Sequence, residues 1–161
     1  MLVVCGVSGV GKTTIGRLLA DALEIPFFDA DDFHPATNVD KMSNGIPLDD
    51  RDRRPWLDTL ASRLSAWEKK GGAVLACSAL KERYRTVLGS RCSERIRWII
   101  LHAGEALLAD RIESRTGHFF DRRLLRSQLD ALEVADYGWL IDVQPSPQEI
   151  VNEILSRLRY K

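Results

Sequence analysis

The residues Gly6-Val7-Ser8-Gly9-Val10-Gly11-Lys12-Thr13 fit the pattern G-x-x-x-x-G-K-[ST], which is typical of a loop that binds phosphate. An apolar run, residues 2–5, precedes them, and apolar residues recur at helical spacing over residues 12–23. Loops of this kind curl so that successive backbone N–H groups point at phosphate oxygens, beside the positive end of the helix dipole. The pattern therefore predicts a nucleotide phosphate site between a strand and a helix.

This phosphate loop, residues 6–13, has an expected role for each kind of residue in it. Lys12 is predicted to bridge the β- and γ-phosphates of the nucleotide, and the Thr13 hydroxyl group to ligate Mg²⁺. A chance glycine-rich turn is the alternative, but the strand and helix predicted on either side argue against it. The predicted nucleotide contacts are Gly6, Ser8, Gly9, Val10, Gly11, Lys12, Thr13 and Thr14.

Short apolar runs alternate with segments of helical period along the rest of the chain, which is typical of a parallel sheet covered by helices. Strands are predicted at residues 2–5, 27–28, 73–77, 96–101 and 139–143. Helices are predicted at residues 12–23, 38–42, 81–88, 105–115 and 124–133, with one more whose first turn holds Pro55 and another opened by Ser146-Pro147. We expect a single three-layer α/β/α domain over residues 1–161, with a five-stranded parallel sheet.

Composition bounds the class of protein. The 161 residues include 45% hydrophobic and 29% charged residues, which excludes a disordered or low-complexity chain. Lys and Arg number 23, as do Asp and Glu, so the long-range attraction of general nucleic-acid or anionic-membrane binders is missing. Three widely spaced cysteines, the lack of a signal-like N-terminus and the lack of a long apolar run predict a cytoplasmic protein.

Two classes of phosphate-loop protein lack their expected partner motifs. A GTPase carries D-x-x-G and N-K-x-D, and no glycine of this chain has Asp three positions before it. A larger ATPase places an acidic residue at the end of an apolar strand, but residues 73–77 are followed by Ser78-Ala79-Leu80. The sequence therefore favours a small-molecule kinase.

An acidic turn, Asp29-Ala30-Asp31-Asp32-Phe33-His34, follows the second predicted strand. One carboxylate there is expected to serve the Mg²⁺ shell, and another to accept the proton of the hydroxyl group that attacks the γ-phosphate. On an extended segment, Asp29 and Asp31 would lie on the same side. We assign the metal role to Asp29 and the base role to Asp31, with Asp29 and Asp32 as open alternatives for the base. A solvated acidic loop or a helix cap is the competing interpretation.

Residues 29–54 form a polar insert that contains Pro35, Gly45 and Pro47 and is long for so small a domain. In such a domain a long irregular segment serves binding more often than packing. Its side chains that can bind an anionic, hydroxyl-rich molecule are His34, Asn38, Lys41, Asp50, Asp52 and Arg53.

Taken together, these segments resemble the gluconokinases, small kinases of the group that includes nucleoside-monophosphate kinases and shikimate kinases. The resemblance covers nearly the whole chain. Beyond the phosphate loop and Asp29 to Pro35, it rests on Asn38 to Met42, Gly45 to Leu48, Asp50 to Leu57, Cys77 to Lys81, Tyr84-Arg85, Gly117-His118-Phe119 and Leu125 through Ser127-Gln128 to Glu133. Ala30 stands where glycine is expected, and residues 134–139 are less similar.

The resemblance implies transfer of the γ-phosphate of ATP to the terminal hydroxyl group of D-gluconate, giving 6-phospho-D-gluconate. It also implies a homodimer, with neither nucleic acid nor membrane as a partner. A related kinase for another anionic acceptor such as shikimate is one alternative. A nucleotide-binding regulator that transfers no phosphate is another, although it would need no acceptor site.

Arg53 is the predicted partner of the substrate carboxylate, because its planar fork can bind two oxygens at once. Lys41 and His34 are expected behind it, and Lys81 is expected to reach the same cleft. An ion pair with Asp49, Asp50 or Asp52 is the alternative for Arg53, and a helix-surface position is the alternative for Lys81.

Arg111 and Arg115 lie four residues apart on a predicted helix, so they share one face. That face is expected to close over the ATP phosphates, with Arg115 acting on the transferred group. The residues after it, 115–121, are predicted to form a small lid in which His118 binds the substrate. A solvated basic face is the alternative. Trp56 and Trp67 are predicted to be core residues rather than ligand platforms.

Overall fold

The structure is a computed structural model of the chain and describes residues 1–114 and 122–159. Its sheet contains β1 (Leu2–Cys5), β2 (Phe27–Asp29), β3 (Val74–Ala76), β4 (Arg97–His102) and β5 (Trp139–Asp142). The order is β2-β3-β1-β4-β5, and every neighbouring pair is parallel. The predicted five-stranded parallel sheet is therefore confirmed.

The helices follow the predicted alternation with the strands. They are α1 (Lys12–Leu23), α2 (Ala36–Ser43), α3 (Asp50–Glu68), α4 (Glu82–Gly89), α5 (Glu105–Glu113), α6 (Arg122–Ala131) and α7 (Pro147–Arg159), with a short 3-10 helix at Ala30–Phe33. The start of α7 is confirmed in detail, since Ser146 N donates to Glu149 Oε2 at 2.9 Å and Glu149 N to Ser146 Oγ at 3.4 Å.

Alternate strand residues enter two apolar clusters on opposite faces of the sheet. Val4 and Ile99 belong to the cluster that includes α1 and α7, and they are fully buried. Val3 and Leu75 belong to the other cluster, which includes the buried face of α3. Trp56 is 2% exposed in this second cluster and Trp67 packs against it, so both are core residues as predicted. The sheet is thus the middle of three layers.

Helix α3 begins five residues before Pro55, contrary to the expectation that Pro55 lies in its first turn. A capping box accounts for the earlier start. Asp52 N donates to Asp49 Oδ1 at 2.8 Å, and Asp49 N donates to Asp52 Oδ2 at 3.0 Å. The two aspartates satisfy backbone N–H groups at the start of the helix, and the helix continues through Pro55. The last residues of the polar insert are therefore helical.

The ends of β1 and β3 lie side by side, because Gly6 N donates to the carbonyl oxygen of Ser78 at 3.2 Å. The phosphate loop therefore lies next to the loop that carries Lys81. Cys5 and Cys77 are buried free thiols at this edge, and burial raises the pKa of Cys5 to about 12. Among residues 1–114 and 122–159, no helix has the length and apolar character needed to cross a membrane.

Candidate active site

The phosphate loop packs so closely on its neighbours that side chains are excluded at two glycines. Gly6 has φ +138°, and a Cβ atom there would lie 2.5 Å from the carbonyl oxygen of Leu101. Gly9 has φ +80°, and a Cβ atom there would lie 2.9 Å from Ile112 Cγ1. Both positions combine a left-handed backbone with a close approach, so only glycine fits. The loop conformation follows from these glycines.

Lys12 folds back over the phosphate loop. Its Nζ donates to the carbonyl oxygen of Val7 at 2.9 Å. Burial lowers the pKa of Lys12, and the Asp31 carboxylate opposes that shift more than any other neighbour. The ammonium group therefore lies within electrostatic reach of the acidic turn.

Thr13 and Asp29, the two expected metal-binding residues, lie together. Thr13 Oγ1 donates to Asp29 Oδ2 at 2.8 Å, which joins the first turn of α1 to the end of β2. The other carboxylate oxygen of Asp29 accepts from Asp31 N at 3.2 Å and caps the 3-10 helix. The spacing predicted an extended acidic turn, and this prediction is wrong, because residues Ala30–Phe33 form a 3-10 helix. Asp29 is both a helix cap and the partner of Thr13.

Asp31 is open to an incoming molecule, with 81% of its side chain exposed. Partial desolvation, followed by repulsion from Asp29, raises the pKa of Asp31, and the Lys12 ammonium group acts in the opposite direction. Its exposure leaves the carboxylate accessible to the hydroxyl group whose proton it would accept. Asp31 and Lys12 therefore lie within electrostatic reach of each other.

Trp56, on α3, fixes the acidic turn through a hydrogen bond to its backbone. Its Nε1 donates to the buried carbonyl oxygen of Ala30 at 2.8 Å. Ala30 is fully buried, and in the described chain only Glu24 and Ala79 combine a side chain with positive φ. The methyl group that replaces the expected glycine therefore causes no backbone strain.

His34 was expected to support Arg53 as a second positive charge, but its surroundings favour the neutral ring. Its side chain is 4% exposed and stacks on the Trp56 ring, with centroids 4.4 Å apart. Burial, aided by the Arg53 charge, lowers the pKa of His34 to about 4. The Asn38 amide group lies 3.3 Å from Nδ1 and donates to the carbonyl oxygen of Asp52 at 2.8 Å, so Nδ1 is the acceptor. The neutral ring therefore directs its Nε2–H group towards Asp31, whose Oδ1 lies 3.9 Å away.

Lys41 forms an ion pair with Asp52. Its Nζ lies 2.6 Å from Asp52 Oδ1. The hydrogen bond to Asp52 raises the pKa of Lys41. Because Asp52 is also the capping residue of α3, this ion pair joins α2 to α3 and competes with any role of Lys41 towards a substrate.

Tyr84 organises the cations of the cleft, a role that the sequence did not suggest. Arg53 Cζ, Lys81 Nζ and Arg83 Cζ lie 5.7, 5.8 and 5.5 Å from the centroid of its ring. Its hydroxyl group donates to Asp50 Oδ1 at 2.6 Å, and Arg83 pairs with the other oxygen of that carboxylate.

Arg53 forms no ion pair with Asp49, Asp50 or Asp52 among the described residues. Asp52 pairs with Lys41 and Asp50 with Arg83, and the Arg53 charge acts on Asp50 at longer range, where it adds to the Tyr84 hydrogen bond in lowering the pKa of that carboxyl. Arg53 and Lys81 therefore remain two cations beside one aromatic ring, without a carboxylate partner in the part of the chain described.

A pocket of about 230 Å³ opens beside the phosphate loop. Its lining is Gly9, Val10, Gly11, Thr14, Ile15, Arg111, Ser114, Val143, Pro145, Pro147 and Ile150. Arg111 is held at its edge, since Nη2 donates to the carbonyl oxygen of Val143 at 3.0 Å. The residues from the β5–α7 connection carry no charge or motif, and sequence reasoning missed them. Arg115, His118 and the predicted lid, residues 115–121, lie outside the described residues.

One more contact joins the phosphate loop to a distant helix. Ser8 N donates to the side-chain oxygen of Gln128, on α6, at 2.7 Å. The site as a whole combines a phosphate cradle, an ammonium group, an exposed carboxylate and unpaired cations. These groups can together hold a nucleoside triphosphate and deprotonate the hydroxyl group of an anionic acceptor.

Comparison with known proteins agrees with this chemistry. The family model described as shikimate kinase matches residues 8–159. A probable gluconokinase of Dictyostelium discoideum is 40% identical and is matched over 99% of this chain and 86% of its own length. The gluconokinase of Arabidopsis thaliana is 39% identical, over 96% of this chain and 90% of its own length. The crystal structure of a gluconokinase from Sinorhizobium meliloti 1021 superimposes with a TM-score of 0.89 at 41% identity, covering 99% and 91% of the two chains.

Proposed function

The chain belongs to the gluconokinase family, and from that premise we propose that it transfers the γ-phosphoryl group of ATP to the terminal hydroxyl group of D-gluconate. The products are ADP and 6-phospho-D-gluconate. The observation that carries the proposal is the hydrogen bond from Thr13 Oγ1 to Asp29 Oδ2 at 2.8 Å, which joins the loop that carries Lys12, a cation, to the acidic turn that carries Asp31, a candidate base. Phosphoryl transfer needs such a cation and such a base.

Asp31 acts as the base in this proposal. The gluconate hydroxyl group gives its proton to the Asp31 carboxylate while its oxygen forms a bond to the γ-phosphorus. The bond between that phosphorus and the β–γ bridging oxygen breaks, and ADP leaves. Lys12 stabilises the negative charge on the transferred group, and Arg115 is proposed to do so as well.

Thr13 and Asp29 suit Mg²⁺, which prefers oxygen ligands and is usually held by one or two protein groups plus substrate phosphates. Their two oxygens lie 2.8 Å apart next to the phosphate loop. When bound, Mg²⁺ neutralises charge on the phosphate oxygens. The remaining backbone N–H groups of the phosphate loop, residues 6–13, and Thr14 bind the phosphates themselves. The N–H groups of Gly6 and Ser8 are already bonded to Ser78 and Gln128, so these two residues contribute to the shape of the loop.

The pocket beside Gly9 and Gly11 is proposed to hold the adenine base of ATP. It adjoins the phosphate cradle, and its lining includes apolar side chains from α1, from the β5–α7 connection and from the start of α7. Arg111 lies at its edge, where a guanidinium plane can stack on an aromatic base.

The gluconate carboxylate is assigned to Arg53, assisted by Lys81. Both cations lie beside Tyr84 and lack a carboxylate partner among the described residues. Lys41 is a weaker candidate, because Asp52 already holds it. His34 binds as a neutral hydrogen-bond donor rather than as a cation, and His118 is retained as a contact from the predicted lid.

The proposal is tested by ADP release with a panel of acceptors: D-gluconate, other aldonates, shikimate, nucleoside monophosphates and no acceptor. We expect turnover that depends on gluconate and exceeds turnover with shikimate by at least about tenfold, because the site recognises both a carboxylate and a chain of hydroxyl groups. Preference for shikimate would reassign the acceptor. ATP binding without transfer to any acceptor would indicate a nucleotide-binding regulator.

A homodimeric, cytoplasmic enzyme is part of the same proposal, on the strength of the family resemblance. Sedimentation of the purified chain at several concentrations tests the oligomeric state. A single species of 18.2 kDa at all concentrations would contradict the dimer.

A further inference from the structure

Lys12 and Gln128 hold the same peptide group of the phosphate loop. The carbonyl oxygen of Val7 accepts from Lys12 Nζ at 2.9 Å, and the N–H group of Ser8 donates to Gln128 Oε1 at 2.7 Å. These two atoms belong to one planar amide, whose C=O and N–H groups point in opposite directions. Gln128 therefore grips one edge of the peptide plane whose other edge holds the ammonium group.

We propose that Gln128 is a positioning residue for phosphoryl transfer, because it fixes the orientation of the Val7–Ser8 peptide group on which Lys12 rests. The inference deepens the proposed kinase function and rests on it. Gln128 touches neither the nucleotide nor the acceptor in this role. It acts through the peptide group on the cation that stabilises the transferred phosphate.

The orientation of the Gln128 amide follows from its partner. A backbone N–H group can only donate, so the side-chain oxygen and not the nitrogen must face Ser8. Accepting from this N–H group also polarises the peptide and strengthens its carbonyl oxygen as an acceptor for Lys12. Both the aim and the strength of the Lys12 contact thus depend on one side chain 120 residues away in sequence.

Helix α6 is anchored well enough to place Gln128 accurately. Leu125 is 2% exposed in the core cluster that contains Val7 and Val10. Beyond the helix, Glu133 N donates to the carbonyl oxygen of Leu80 at 2.8 Å, and Glu133 Oε2 accepts from Glu82 N at 2.6 Å.

Buried Arg85 completes this anchor. Its Nη2 donates to the carbonyl oxygen of Glu133 at 2.8 Å, and its Nη1 to the carbonyl oxygen of Ala79 at 2.9 Å. The chain after α6 is therefore joined to the β3–α4 loop, which carries Lys81. A helix fixed at both the core and this loop can hold a peptide group in place rather than follow its motion.

Gln128→Met tests the proposal, because methionine keeps the length of the side chain and removes the oxygen that Ser8 needs. We expect kcat to fall about 10- to 100-fold, since small misplacements of catalytic groups have effects of this size. The KM for gluconate should stay within about twofold, because the acceptor contacts are untouched. Gln148→Met is the matched control: Gln148 lies exposed on α7 and bonds Asn152, and its replacement should leave both constants unchanged.

Amide hydrogen exchange, read by NMR without any ligand, supplies a measurement that activity does not enter. The Ser8 amide should exchange at least about tenfold faster in Gln128→Met than in the parent protein, while amides in α7 keep their rates. A folded Gln128→Met protein with parental kcat, or with unchanged exchange at Ser8, would overturn the proposal. Equal losses in kcat and in gluconate binding would overturn it as well, because they indicate general damage.

Gln128→Asn replaces the methionine variant if the latter does not fold. It keeps an amide group, but its side chain is one methylene shorter and cannot reach Ser8, so the same losses are expected. Failure of the proposed function is separable from failure of this inference. A parent protein inactive on gluconate refutes the former, whereas the exchange rate at Ser8 still decides the latter.

Discussion

At the residue scale, the acceptor cleft is shaped by which charges pair and which do not. Asp52 takes Lys41, and Asp50 takes Tyr84 and Arg83. These pairs lie near the surface, where each contributes little to stability. These pairs matter for substrate binding, because they occupy Lys41 and Arg83 and leave the Arg53 guanidinium group beside Tyr84 available to an anionic molecule.

Asp31→Asn tests the base. Asparagine has nearly the same shape but cannot accept the proton, so kcat should fall at least about 100-fold while the KM for gluconate changes less than about threefold. Steady-state kinetics in both substrates measure this. Asp32→Asn, an exposed neighbour in the same turn, should retain parental kcat. The reverse outcome would move the base to Asp32.

Arg53→Lys tests the carboxylate contact. Lysine keeps the charge but loses the two-pronged fork, so the KM for gluconate should rise about 10-fold or more with little change in kcat. An uncharged polyol, a poor substrate from the start, should lose little further activity in this variant. Arg54→Lys is the control, because Arg54 is exposed and pairs with Asp58. Equal losses for gluconate and polyol would make Arg53 structural and leave Lys41 as the next residue to test.

At the scale of elements, the conformation of the acidic turn depends on its contact with α3. The turn is a 3-10 helix capped by Asp29, and Trp56 of α3 binds the carbonyl oxygen of Ala30 within it. Because α3 starts at its own capping box, Trp56 faces the turn while Asp52 faces Lys41 of α2. One helix therefore aligns both walls of the cleft.

Trp56→Phe tests this dependence. Phenylalanine keeps an aromatic ring against His34 but leaves the buried Ala30 carbonyl oxygen without its donor, which should lower the free energy of unfolding by about 1–3 kcal/mol. Because Asp31 lies in the same turn, kcat should also fall several-fold. Urea denaturation and kinetics measure the two effects. Trp98→Phe, the same change on β4, should leave kcat unaffected. An equal fall in kcat in that variant would mean that the hydrogen bond from Trp56 to the acidic turn is not what supports catalysis.

At the scale of the whole molecule, a buried neutral histidine makes the fold sensitive to acid. Burial lowers the pKa of His34 from 6.5 to about 4, so the unfolded chain binds a proton between these values and the folded chain does not. Stability therefore falls as the pH drops from about 6.5 to about 4, by as much as about 3 kcal/mol from this residue.

His34→Phe isolates this contribution. The variant does not titrate, so it should lack the part of the acid destabilisation that His34 causes. The difference in unfolding free energy between variant and parent should shift in the variant's favour, by up to about 3 kcal/mol, as the pH is lowered from 6.5 to 4. Denaturation curves across this range measure it. A constant difference would show that His34 has the same pKa in the folded protein as in the unfolded chain.

Local sequence was enough to predict the sheet, the phosphate loop and the helix after it. Residues 2–5 are all apolar, as a strand buried on both faces requires, and Gly6 and Gly9 stand where the backbone has positive φ. The box at Ser146 and Glu149 likewise acts over three residues. Each of these features depends on neighbours in the chain, which a sequence displays directly.

The tertiary structure alone decided which polar groups meet. Lys41 and Asp52 are 11 residues apart, Tyr84 and Asp50 are 34 apart, and Ser8 and Gln128 are 120 apart. Burial likewise made His34 neutral, although its residue type suggested a cation. These outcomes depend on how α2, α3 and α6 pack around the sheet, because solvation and partner choice are properties of the surroundings in space and not of position along the chain.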